Sequence, residues 1–163
     1  MRTILFITPD YVSHFTPLIP VGQAFLRAGY SVVVASGPVL KRQAQALGFD
    51  HVELVLGQES NSGLISSERR VAITRSLAAT RRGWCAALEE QALGRVNDLL
   101  WRGDEVAVRT RAIIYKYRPL CVVTVQLTFA ATAALLALDI PFATFVTGHQ
   151  TQLPAHGEIY GFP

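Results

Sequence analysis

His14 is the side chain whose type and position best suit it to chemistry. It follows the apolar run Ile4-Leu5-Phe6-Ile7-Thr8 and the segment Pro9-Asp10-Tyr11-Val12-Ser13, and it precedes Thr16-Pro17. The run predicts a strand, and a threonine cap followed by proline predicts the start of a helix. His14 is therefore expected at a strand-to-helix junction, which in a parallel α/β sheet lies at the carboxyl ends of the strands, where ligands bind. The positive end of a helix starting at Thr16 disfavours imidazolium and keeps the ring neutral near pH 7. A neutral imidazole there is suited to remove a proton from a hydroxyl as a general base. The same position also suits a ring that only hydrogen-bonds the loop backbone, and position alone leaves both readings open.

The other candidates carry less. His149 and His156 flank residues 150–155 without an acidic ligand between them, which is poor metal spacing; no metal site is expected. Trp84 and Trp101 fall in a helical stretch, where a core role is favoured over walling an apolar ligand site. Asn61 and Ser62 are rim residues at most, with no motif behind them. Cys85 and Cys121 form no Cys-x-x-Cys pair, and Cys121 falls in an apolar strand, so a buried, inert thiol is expected. The glycine-rich loops that cradle phosphates are missing: residues 8–16 contain no glycine, and no Gly-Lys-Ser/Thr occurs. A flavodoxin-like cofactor binder would share the strand order, but this first loop lacks the small residues such a site needs.

The elements that must position His14 alternate along the chain. Strands are predicted at residues 2–8, 31–36, 51–56, 120–125 and 141–147. Helices are predicted at 17–28, ended by Gly29, at 39–47, ended by Gly48, and at 128–138. Residues 67–117 show no strand signal, and Gly83, Gly94 and Gly103-Asp104 divide them into three helical pieces. Residues 57–66 and 148–163 read as loops. Such alternation argues a Rossmann-like, doubly wound parallel sheet with right-handed crossovers. The fifth strand is followed by a loop with no helix to cover it, which reads as the front part of something longer.

At 163 residues, half of them apolar and 17% charged, the chain is long enough for one packed domain and is not disordered. The apolar stretch 120–138 approaches the length of a membrane span, but β-branched residues in its first half and alanines in its second read as a strand and a helix. No membrane span and no secretory leader are expected, which points to the cytoplasm. The net charge of +3 is modest, and Arg69, Arg70, Arg75, Arg81 and Arg82 recur at helical intervals without aromatic interleaving. They read as a solvated helix face, not a nucleic-acid surface.

Ile4-Leu5-Phe6-Ile7-Thr8, then His14-x-x-Pro17-Leu18, then Gln23-Ala24-Phe25-Leu26-Arg27-Ala28-Gly29-Tyr30-Ser31-Val32-Val33-Val34-Ala35-Ser36-Gly37-Pro38 resemble the amino-terminal half of the GT-B glycosyltransferases. The similarity points to the bacterial natural-product and macrolide enzymes related to the UDP-glucuronosyltransferases. Arg118-Pro119-x-x-Val122-Val123, Thr128-Phe129-Ala130-Ala131 and Leu138-Asp139-Ile140-Pro141-Phe142-Ala143 resemble the fourth strand and following helix of that family. The resemblance is weak in residues 67–117.

The resemblance implies that residues 1–163 are the acceptor-binding Rossmann-like domain of an inverting transferase, with the donor-binding domain absent. It implies a small-molecule acceptor, a nucleotide sugar as co-substrate held by a separate carboxyl-terminal domain or subunit, no cofactor of the chain's own, and His14 as base. Alone, the chain is expected to be inactive. The family's partner aspartate for the histidine falls at Val125 in this sequence, and valine cannot accept the imidazole's hydrogen bond. Gln126 and Asp10 are the candidate orienting partners in its place, although Asp10 also reads as a loop-surface residue. If the family cleft is kept, Gly148, His149 and Gln150 line the acceptor pocket, with Trp84 a further candidate. The runner-up reading is a non-catalytic small-molecule-binding or interaction domain derived from such an enzyme.

Overall fold

A computed structural model describes residues 2–57 and 67–146. Its centre is a parallel sheet of five strands, β1 (Thr3–Ile7), β2 (Ser31–Ser36), β3 (Asp50–Glu53), β4 (Cys121–Val125) and β5 (Phe142–Phe145), in the order β3-β2-β1-β4-β5. β1 lies in the middle, with Ile7 in register with Ala35 on one side and Thr124 on the other. The strand order reverses between β1 and β4, so the loops that follow these two strands flank the crevice in which doubly wound sheets bind ligands.

Side-chain alternation along the strands builds two cores. Ile4, Phe6, Val32, Val34 and Val125 face the helical segment α1 (Val12–Phe15), a 3-10 turn (Thr16–Leu18), α2 (Ile19–Arg27) and α3 (Lys41–Ala46), packing with Phe15, Leu18, Leu40, Ala44 and Phe49. Leu5, Ile7, Val33, Ala35 and Val122 face the other way, against Val106, Ile113 and Ile114 of α6 (Gly103–Tyr117) and Ala130, Ala131 and Leu135 of α7 (Phe129–Ala137). A Cβ at Gly22 of α2 would stand 2.6 Å from the Phe49 ring and 3.1 Å from that of Phe6. The glycine thus lets the helix approach the sheet closely.

Two helices, α4 (Ser67–Arg82) and α5 (Trp84–Leu99), form a hairpin about Gly83, which takes φ +115°. Arg75 and Glu90, on opposite helices, pair at 3.1 Å. Arg75, Arg81 and Arg82 are solvent-exposed, as a solvated helix face requires. Gly94 does not divide this stretch; it lies within α5, because a single glycine costs a helix only about 1 kcal/mol and packing overrides it. Gly29 and Gly48 end α2 and α3 at φ +82° and +81°, the left-handed conformation expected of stop glycines.

The first helix begins earlier than its sequence signal. Tyr11 is its N-cap, Val12–Phe15 are already helical, and Thr16 lies inside the helical run. The Thr16 hydroxyl donates back to the Val12 carbonyl at 2.8 Å instead of capping. Proline at the next position is tolerated because the segment tightens into a 3-10 turn there. Among the described residues, no helix is long and apolar enough to cross a membrane.

Candidate functional site

His14 lies in the single turn of α1, in the segment that follows the carboxyl end of the central strand β1. The turn is tight: Tyr11 N–H donates to the Pro9 carbonyl at 2.7 Å, and His14 and Phe15 N–H donate to the Tyr11 carbonyl at 3.0 and 3.1 Å. Phe15, fully buried, roots the turn in the aromatic core, where its ring meets Phe49 edge-on. The His14 ring is half-buried and packs 5.9 Å from the Tyr11 ring. Burial pushes its imidazole below the ordinary value of 6.5, so the ring is neutral at pH 7. Removal from water, rather than a helix end at Thr16, supplies the shift.

Nδ1 of His14 is buried and, among the described residues, has no hydrogen-bond partner. A ring that accepts a proton at Nε2 carries its own proton on Nδ1, and leaving that donor unpaired costs about 1–3 kcal/mol. Neither candidate partner relieves it. Gln126 follows β4, is half-buried and makes no hydrogen bond to Nδ1. Val125 is 1% exposed and belongs to the same apolar cluster as Phe15 and Leu18.

Asp10 is not a loop-surface residue. It is 9% exposed, and its carboxylate accepts from the backbone N–H groups of Val39 and Leu40 at 3.0 and 3.1 Å. It therefore caps the 3-10 turn (Pro38–Leu40) that leads into α3 and makes no hydrogen bond to the imidazole.

His51, in β3, adds a second histidine at the carboxyl edge of β2. Its Nε2 lies 3.1 Å from the Ser36 hydroxyl and 3.2 Å from the Gly37 carbonyl, while the Ser36 hydroxyl donates to the same carbonyl at 3.1 Å. Burial lowers its pKa most strongly, and Lys41 lowers it further. The Gly37 hydrogen bond and the Asp10 and Glu53 carboxylates pull it up. Ser36 is fully buried, so this serine–histidine pair ties strands together and offers no nucleophile. The sequence signal for His51 was weak: a histidine opening the strand predicted over 51–56, 15 residues from the Ser36 it meets in space.

The two tryptophans separate. Trp84, 73% exposed at the start of α5, is no core residue: the hairpin closes on small side chains, with Ala79 and Ala87 buried, and leaves its tip outside. Trp101 is half-buried and lines a cavity of about 320 Å³ with Glu53, Leu54, Arg102, Glu105 and Arg109. The Arg102 guanidinium lies over its ring at 5.2 Å and pairs with Glu105 at 2.6 Å. Cys121 is half-buried in β4 as its apolar surroundings require, but Cys85 is exposed. No group of three or more His, Cys, Asp or Glu that would hold a metal occurs among the described residues. Asn61, Ser62, Gly148, His149, Gln150 and His156 lie outside the described residues.

Sheet order and helices on both faces make this a Rossmann-like α/β domain, similar in structure to part of the bacterial natural-product GT-B glycosyltransferases. Spinosyn rhamnosyltransferase SpnG superposes with a TM-score of 0.63 at 17% identity, over 90% of this chain and 35% of that one. SsfS6, a glycosyltransferase of Streptomyces sp. SF2575, gives 0.57 at 20% identity, over 90% and 39%. SnogD from Streptomyces nogalater gives 0.53 at 21% identity, over 91% and 34%. The chain thus spans little more than a third of the length of these enzymes, and at such identities the likeness is one of fold. No family model and no curated protein matches the sequence.

Proposed function

We propose that this chain is the acceptor-binding domain of an inverting glycosyltransferase. It holds a hydroxyl of a small, natural-product-like molecule near His14 for attack on the anomeric carbon of a nucleotide sugar. The observation that supports this best is the placement of a neutral, half-buried imidazole at the strand reversal point of a fold shared with natural-product glycosyltransferases. A solved structure of SpnG is a complex with thymidine diphosphate; on our reading, the nucleotide sugar is bound by a separate carboxyl-terminal domain or subunit. His14 then removes the hydroxyl proton as the new glycosidic bond forms and the nucleoside diphosphate leaves with its bonding electrons.

A second reading, a non-catalytic binding domain descended from such an enzyme, draws on Val125. Valine stands where the resemblance expects a carboxylate, and Nδ1 is left with no acceptor for its proton. In the serine-protease triad, an orienting carboxylate is worth about 10⁴ in turnover.

Titrating the isolated chain with a panel of aglycones, and separately with nucleotide sugars, tests the first reading. Aglycones are expected to shift the amide signals of residues 10–16 and 126–129, nucleotide sugars to leave them unmoved, and no product to form. Transfer by the chain alone, or a nucleotide-sugar response without an aglycone response, overturns it. With a donor-binding partner supplied, loss of transfer in His14→Ala supports the enzyme, and transfer that survives this change removes His14 from the chemistry.

A further inference from the structure

Asp10 stands four residues before His14, yet its carboxylate serves a different element. Oδ2 accepts from Val39 N–H at 3.0 Å and Oδ1 from Leu40 N–H at 3.1 Å, both charge-assisted bonds out of water. The other side of the carboxylate is closed by Gly37, where a Cβ would fall 2.6 Å from Cγ of Asp10 and 2.8 Å from its Cβ. Only glycine fits beside it. The Gly37 carbonyl is gripped in turn by the Ser36 hydroxyl and by Nε2 of His51, whose strand, β3, flanks β2. Asp10 thus sits in a vice built from β2, β3 and the start of the 38–46 helical segment. From there the chain reaches His14 through a turn already closed by three short backbone hydrogen bonds, so little freedom separates the two residues.

We infer that Asp10 is a positioning residue for His14: by pinning the turn after β1 to the start of the helical segment after β2, it holds the imidazole half-buried with Nδ1 shielded from water. The inference rests on the reading of His14 as the base, but its test uses no transferase activity. Failure of one is therefore distinguishable from failure of the other.

The test exploits two histidines that respond in opposite directions. Coulomb's law alone predicts that removing the Asp10 anion lowers the pKa of nearby imidazoles, because imidazolium loses a stabilising charge. Releasing the turn instead hydrates His14 and raises its pKa towards 6.5, since burial is what depresses it. In Asp10→Ala, imidazole proton signals followed by NMR, assigned with His14→Gln and His51→Gln, are expected to show His14 titrating higher and His51 lower. Gly37→Ala keeps the carboxylate but drives a methyl group into it, and is expected to raise His14 as well. Asp10→Asn, nearly isosteric, retains one acceptor and turns a donor towards the other N–H group. It is expected to raise His14 by less, and it carries the test should the alanine variant fail to fold. A His14 titration that falls together with His51, or that is unmoved in a folded Asp10→Asn, overturns the inference.

Discussion

The central strands and the α4–α5 hairpin treat their apolar side chains in opposite ways. Leu5, Phe6 and Ile7 of β1 and Val34 and Ala35 of β2 have no exposed surface, whereas Val71, Leu77 and Trp84 of the hairpin are each at least 60% exposed. The loops of the first region are fixed by buried polar bonds: Asp10 to Val39 and Leu40, His51 to Gly37, and Thr128 to the Val125 carbonyl at 2.7 Å. The hairpin's helices are tied by the Arg75–Glu90 pair, whose arginine is exposed, an interaction worth on the order of 1 kcal/mol. Loop geometry is held at the carboxyl edge of the central strands, and apolar surface is left open where two helices pack on each other.

The sharpest way to break that contrast is to truncate one aromatic side chain in each region. Phe6→Ala opens a void beneath Phe25, whose ring meets it edge-on at 6.4 Å, and should destabilise the chain by about 3–5 kcal/mol. Trp84→Ala should fall within about 0.5 kcal/mol of the parent. Urea denaturation measures both; comparable losses would mean that the hairpin tip is buried in solution.

A smaller effect is expected at Gly22. Alanine there sets a methyl group against the buried rings of Phe49 and Phe6, and overpacking costs about 1–3 kcal/mol. The better helix propensity of alanine, about 1 kcal/mol, offsets part of this. A Gly22→Ala chain as stable as the parent would show that α2 lies further from the sheet.

The smallest effect is on pH dependence. His14 and His51 both titrate below 6.5 in the folded chain, so below that pH the unfolded chain binds more protons. Stability is accordingly full above pH 6.5 and falls as pH drops from there through the lower folded values. Thermal melts between pH 5 and 8 should show this decline, and the double variant His14→Gln, His51→Gln should flatten it. A decline of unchanged size in that variant would assign it to other groups.

Much of this architecture was legible from residue order. β2 has the boundaries its Ser-Val-Val-Val-Ala-Ser run predicts, and the stop glycines after α2 and α3 take the left-handed conformation. The junction that carries His14 was legible too, because an apolar run followed by a helix signal has one meaning in a parallel sheet. Helix starts were less so. Thr16-Pro17 has the residues of a cap, but Tyr11 accepts two backbone N–H groups at its own carbonyl and starts the helix a turn earlier. Trp84 shows the limit of composition: a large aromatic residue predicts a core, but a hairpin that closes on alanines has no space for it.

The sequence by itself determined the alternation of strands and helices, the parallel sheet and the position of His14, because these follow from periodicity and chain order. Only the tertiary structure decided what surrounds that histidine. Asp10 and His51 are far apart in sequence, and they meet at Gly37 only because β1, β2 and β3 are neighbours in the sheet. Whether an aspartate four residues from a histidine orients the ring or pins its turn depends on which N–H groups lie within 3 Å of the carboxylate, and packing sets that distance.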